Sequence, residues 1–123
     1  MNRVLLVDDN PSFLVAMRRI VHRLRPEATV VYAADVAAAQ WRLRTTDVCL
    51  VFTDMRLPSG DQDGLRVVSA AREAGVPVAV VSGVDGSWRA ELAQLNVTVL
   101  RKAELTTSAI GGLIERLSLP TPV

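Results

Sequence analysis

The chain has 123 residues, half of them hydrophobic and 22% charged, which suits one compact domain and excludes disorder and collagen-like structure. Fourteen Lys and Arg against thirteen Asp and Glu leave a net charge of +1, without the basic excess of a dedicated nucleic-acid binder. A single cysteine, Cys49, allows no internal disulfide, and the first apolar run, Val4-Val7, is too short for a signal peptide or a membrane span. The expectation is a soluble cytoplasmic domain with no length left for a second, output domain.

Short apolar runs alternate with longer amphipathic segments. Val4-Val7 reads as a buried strand. Pro11 and Ser12 open a helix whose apolar positions Phe13, Met17, Ile20, Val21 and Leu24 recur at helical spacing, and Pro26 ends it. Thr29-Ala33 is a second strand, and Asp35 is the N-cap of an Ala-rich helix through Leu43. Trp41 is expected to pack that helix on the sheet. Val48-Thr53 is a third strand, which places Cys49 in the core rather than at a reactive site. Residues 58–64 form a loop rich in Gly, Asp, Pro and Ser. A helix then runs from Leu65 to Ala74 and closes at Gly75. Val78-Val81 is a fourth strand, Trp88-Leu95 a short helix, Val97-Leu100 a fifth strand and Thr107-Leu117 a last helix that Gly111 and Gly112 weaken. Residues 119–123 read as a frayed tail or a linker remnant after a domain spanning 1–118.

Five strands alternating with five helices predict an α/β fold with a parallel sheet covered on both faces. Ligands of such sheets bind beyond the carboxyl ends of the strands. The residues there are Asp8 and Asp9 after the first strand, Asp54 after the third, Ser82 and Gly83 after the fourth, and Lys102 after the fifth. Three carboxylates repel one another and call for a cation. Their hard oxygens suit Mg²⁺, and no second His or Cys is present to build a zinc site. A carboxylate beside Mg²⁺, an ammonium and a hydroxyl donor can receive a phosphoryl group, with the cations offsetting charge on the transferring oxygens. Asp54, in the middle of the set, is the natural acceptor. Lys102 is the only lysine, the other thirteen basic residues being arginine. A compact ammonium differs physically from a guanidinium, so lysine is selected at this position.

Four segments in order, Val7-Asp8-Asp9, Thr53-Asp54-Met55-Arg56-Leu57-Pro58, Val80-Val81-Ser82-Gly83 and Leu100-Arg101-Lys102, resemble the receiver domain of bacterial two-component response regulators over essentially the whole chain. The resemblance implies a flavodoxin-like (βα)5 doubly wound fold with strand order 2-1-3-4-5. It implies phosphorylation of Asp54 from a histidine kinase or a histidine phosphotransfer protein. Asp9 and Asp54 would ligate Mg²⁺ directly, Asp8 through water, and the carbonyl of Arg56 would complete the protein ligands. Lys102 would pair with the phosphoryl group. Ser82 would move toward it and switch a surface for a downstream protein target, without direct nucleic-acid or membrane binding and with homodimerisation left open. Such a chain is a signalling switch rather than an enzyme, acting only on its own phosphorylation state.

The sequence departs from the family pattern at four places. Ala103 stands where proline usually follows the lysine, so a trans bond and a different path after Lys102 are expected. Val99 stands where an aromatic is common. The stretch from Ser82 to Lys102 is about two residues shorter than in the family, which predicts a short or displaced fourth helix, and the loop over 59–64 is about two residues longer than usual. Arg56 and Val84, two residues past the acceptor and the hydroxyl, are placed to tune phosphoryl lifetime. His22, among Arg18, Arg19, Arg23 and Arg25, reads as part of a solvated basic face, and Trp88 as a reporter near Ser82. The departures support an alternative, a degenerate receiver acting as a phosphorylation-independent interaction or dimerisation module. A haloacid-dehalogenase-type hydrolase would need a second aspartate where Arg56 stands.

Overall fold

Each of the five apolar runs becomes a strand of one parallel sheet. In the computed structural model, which describes residues 3–58, 60, 62–83, 86 and 88–118, the strands are β1 (Arg3–Val7), β2 (Thr29–Ala33), β3 (Leu50–Thr53), β4 (Val78–Ser82) and β5 (Thr98–Arg101). The helices are α1 (Pro11–Leu24), α2 (Val36–Thr45), α3 (Gly64–Glu73), α4 (Trp88–Gln94) and α5 (Thr107–Ser118), with a 3-10 turn over Lys102–Glu104. The sheet order is β2-β1-β3-β4-β5, the flavodoxin-like arrangement expected. Residues 119–123 and Val84 lie outside the described residues.

Side chains alternate across the pleat, so each strand feeds two cores. Leu5, Val7, Val51, Val78 and Val80 join α2, α3 and α4 on one face through Ala39, Val67, Ala71 and Leu92. Val4, Leu6, Phe52, Ala79 and Val81 join α1 and α5 on the other through Met17, Val21, Ile110 and Ile114. β1, β3 and β4 are buried almost throughout, as continuous apolar runs require, whereas the edge strands β2 and β5 are partly exposed.

Local signals set the helix ends. The Asn10 side chain caps α1, with Pro11 as its first residue. Asp35 caps α2 by accepting from the Ala38 N–H at 2.7 Å. Gly75 takes φ +72°, the left-handed conformation that ends α3. The α4 helix is only seven residues long, as the shortened spacing predicts. Among the described residues no peptide bond is cis, so the chain passes from Lys102 to Ala103 through a trans bond into the 3-10 turn.

Two expectations need correction. Trp41 does not pack α2 on the sheet: it is 52% exposed, with the Arg42 guanidinium 5.5 Å from its ring centre. The buried face of α2 is Val36 and Ala39, with Leu43 packed against the same core, and five residues of rotation turn Trp41 about 140° from Val36. Cys49 precedes β3 rather than lying within it. It is half-buried, its thiol donates to the Arg3 carbonyl at 3.0 Å, and burial pushes its pKa up, which keeps it protonated.

Gly64 starts α3 one residue earlier than expected. Its N–H donates to the Met55 carbonyl at 2.8 Å, and a Cβ there would lie 2.6 Å from Met55 Cα and collide with the Asp54 carbonyl. Gly64→Ala should therefore cost about 2 kcal/mol in denaturant unfolding and displace the backbone at Asp54, which amide shifts of Asp54 and Met55 will report.

Candidate functional site

The sheet ladder delivers two carboxylates side by side. Val7 pairs with both Ala33 and Thr53. One residue further, the Asp8 N–H donates to the Ala33 carbonyl at 3.0 Å and the Asp54 N–H to the Val7 carbonyl at 2.9 Å. The backbone thus carries β1 and β3 one step past their last strand residues and turns Asp8 and Asp54 out at the crevice where the strand order reverses.

Lys102 reaches this crevice from the end of β5. Its Nζ lies 2.7 Å from Asp8 Oδ2 and 3.2 Å from Asp54 Oδ2. Asp8 is completely buried and Asp54 nearly so, while the Lys102 side chain keeps about a quarter of its surface exposed. The remaining oxygens are used locally: Asp8 Oδ1 accepts the Asn10 N–H at 2.9 Å, and Asp54 Oδ1 accepts the Met55 N–H at 2.8 Å. Asp8 Oδ2 accepts no well-directed hydrogen bond and has the ammonium as its counter-charge.

Asp8, Asp9, Asp54, Arg56 and Lys102 line one cleft of about 500 Å³, together with Asn10, Leu57, Pro58 and Gly60. Five of the six residues expected at the site are therefore brought together. Ser82 is buried at the end of β4, opposite Arg101 in the ladder, and is not among the residues lining the cleft. Gly83 next to it packs beside the Lys102 stem, whose Cδ is 3.7 Å from where a Cβ would stand. Trp88 is buried in the core under α4.

Burial pushes the Asp54 pKa up; the Lys102 charge opposes this and the Asp8 charge adds to it, and the net direction is upward. For Lys102, burial favours the neutral amine, but the close polar contact with Asp8 and the charges of Asp54 and Asp8 outweigh it and raise its pKa. The two groups therefore act oppositely on stability. The ammonium stabilises the fold below the ordinary lysine range, a contribution lost only as pH rises above it. The Asp54 carboxylate is a cost that appears as pH climbs through the carboxylate range.

The cleft also fits a small hard cation. Its donors are carboxylate oxygens, one of them buried and without a directed hydrogen bond. Among the described residues no three His, Cys, Asp or Glu side chains form a ready-made metal cage. Mg²⁺ does not require one, since it is held by one or two carboxylates and keeps several waters.

The family model for the response regulator receiver domain matches residues 4–100. The chain belongs to the response regulator receiver domain family. A two-component response regulator of Arabidopsis thaliana, ARR14, is 31% identical over 94 residues, 76% of this receiver and 24% of that protein, so the chain spans about a quarter of its length. Solved structures share the fold at lower identity. The signal receiver domain of an HD domain-containing protein from Pseudomonas fluorescens Pf-5 superposes with TM-score 0.80 at 17% identity, covering 94% of this chain and 93% of that one. A response regulator receiver protein from Pseudomonas putida gives 0.75 at 24%, with 94% and 96% covered. RcsB from Salmonella enterica serovar Typhimurium, bound to promoter rprA in the presence of the phosphomimetic BeF3⁻, gives 0.76 at 19%, with 96% and 68% covered. Among the described residues no helix is long and apolar enough to cross a membrane.

Sequence reasoning missed two residues of this receiver's site. Asn10 carries no reading in the sequence, yet its side chain caps α1 and its backbone N–H fixes Asp8. Phe13 reads as a core position of α1, yet its ring lies 4.4 Å from Lys102 Nζ. The available signal was proximity in sequence, since a helix beginning directly after an acid pair must bring its first turn to the cleft.

Two stability measurements test the charge arrangement. Lys102→Met should cost about 2 kcal/mol at pH 7, because it leaves two carboxylates facing each other in a half-dry cleft. Asp54→Asn should unfold at a denaturant midpoint equal to or above that of the parent at pH 7, with any advantage gone below about pH 4, where folded and unfolded carboxyls are both protonated.

Proposed function

We propose that this receiver accepts a phosphoryl group on Asp54 from a phosphohistidine of a histidine kinase or histidine phosphotransfer protein, in a Mg²⁺-dependent step, and acts as a signalling switch rather than an enzyme. The observation that carries the reading is the Lys102 ammonium bridging Asp8 and Asp54 at the strand-end crevice. Membership of the family supports it.

In the proposed reaction one Asp54 oxygen forms a bond to phosphorus while the donor's P–N bond breaks. The bonding pair leaves with the imidazole, which takes up a proton, and Asp54 becomes an aspartyl phosphate. Lys102 turns its ammonium from the carboxylates to a phosphoryl oxygen and offsets charge there. Asp8, Asp9, Asp54 and the Arg56 carbonyl would hold Mg²⁺, which supplies charge neutralisation of the transferring oxygens. Ser82, buried at the end of β4 and followed by Gly83 beside the Lys102 stem, would shift toward Asp54 to meet a phosphoryl oxygen. That shift would pass to β4, α4 and β5, where Val99 offers no aromatic ring, and so to a downstream protein target.

Incubation with Mg²⁺ and acetyl phosphate should add the mass of one phosphoryl group to the intact chain, and Asp54→Asn should abolish the adduct. A folded parent chain that gains no mass under these conditions overturns the reading and favours a phosphorylation-independent module. Sustained turnover of a phosphoester would point to a hydrolase.

A further inference from the structure

Lys102 has a third neighbour that is not a carboxylate. Its Nζ lies over the Phe13 ring, 4.4 Å from the centroid. Phe13 is half-buried and packs against the core shared by α1 and α5, so one side of its ring is fixed while the ammonium lies over it. We propose that Phe13 is a positioning residue for Lys102, holding the ammonium at the cleft mouth through its ring face; this rests on the phosphoacceptor reading above.

The placement of the ring follows from the same backbone that places the acids. Asp8 Oδ1 accepts the Asn10 N–H at 2.9 Å, and Asn10 Oδ1 accepts the Ser12 and Phe13 N–H groups at 3.0 and 3.3 Å. Lys102 Nζ returns to Asp8 at 2.7 Å. Asp8, Asn10, Phe13 and Lys102 therefore form a closed circuit in which the first turn of α1 is locked to the acid pair and carries the ring to the lysine.

The chemistry explains the use of a ring. A lysine stem has four flexible carbons and gains nothing from a rigid fork. Beyond Lys102 the chain enters a short 3-10 turn with Ala103 exposed, which lends the side chain no support. The two carboxylates hold the ammonium only while they are free of another cation or a phosphoryl group. An aromatic face attracts a cation without competing for those oxygens. It keeps the ammonium within reach while its carboxylate partners change, which is the preorganisation that charge stabilisation in phosphoryl transfer needs.

The full chain is suited to the test because Lys102 is its only lysine. Selective ¹³Cε-lysine labelling gives a single side-chain resonance, and protons over a ring face are shifted upfield. Phe13→Leu should move the Lys102 Hε resonance downfield, toward that of an exposed lysine, and Phe13→Tyr should leave it near the parent position. With acetyl phosphate and Mg²⁺, Phe13→Leu should form the Asp54 adduct about fivefold more slowly, and Phe13→Tyr should restore the parent rate. An Hε resonance unchanged in Phe13→Leu overturns the proposal, as does slowing in both variants alike or no slowing in Phe13→Leu. If the parent itself takes no phosphoryl group, the functional reading fails separately, and the Hε resonance alone still decides whether the ring holds the ammonium.

Discussion

One ammonium between two buried carboxylates is the constraint on which the rest of this receiver depends. Asp8 and Asp54 are brought together by strand register, at a place where water is largely excluded and their mutual repulsion is weakly screened. Without a cation the arrangement is costly. Lys102 supplies that cation from the far edge of the sheet, crossing β4 to do so. The same group is the one the proposed chemistry needs when charge arrives on a phosphoryl oxygen. Stability and function thus draw on a single side chain, in a molecule that uses arginine at every other basic position.

The fold serves this constraint at several levels. Alternation of apolar side chains along β1, β3 and β4 builds two cores and leaves the polar residues of these strands to their ends. Ladder hydrogen bonds continue one residue beyond β1 and β3, so the aspartates are held by backbone rather than by loop conformation. Gly64 lets α3 start hard against the Asp54 carbonyl, and Asn10 ties α1 to Asp8. The site is therefore surrounded by rigid elements on the α1, β1 and β3 sides. Its α4 side is different: α4 is short, and Val99 in β5 is only half-buried.

Most of the architecture was legible in the residues. Apolar runs such as Val4-Val7 and Val78-Val81 have the β-branched composition of buried strands, and Pro11, Asp35 and Gly75 mark helix ends through mechanisms that act within a few residues. The site acids were legible for the same reason, since each directly follows a strand. What the sequence hid was long-range or rotational. Trp41 invited burial by its size, but its angle around α2 faces it to solvent. The contact of Phe13 with Lys102 joins residues 13 and 102, and only the assembled sheet brings them together.

In the proposed switch Lys102 exchanges a carboxylate for a phosphoryl group. A crystal structure of the chain with Mg²⁺ and beryllofluoride tests this most directly. Beryllofluoride should sit on Asp54, with Lys102 Nζ withdrawn from Asp8 and donating to a fluorine. Beryllofluoride bound to Asp54 with Lys102 still seated between the two aspartates, or no adduct at a folded and Mg²⁺-saturated site, would contradict it.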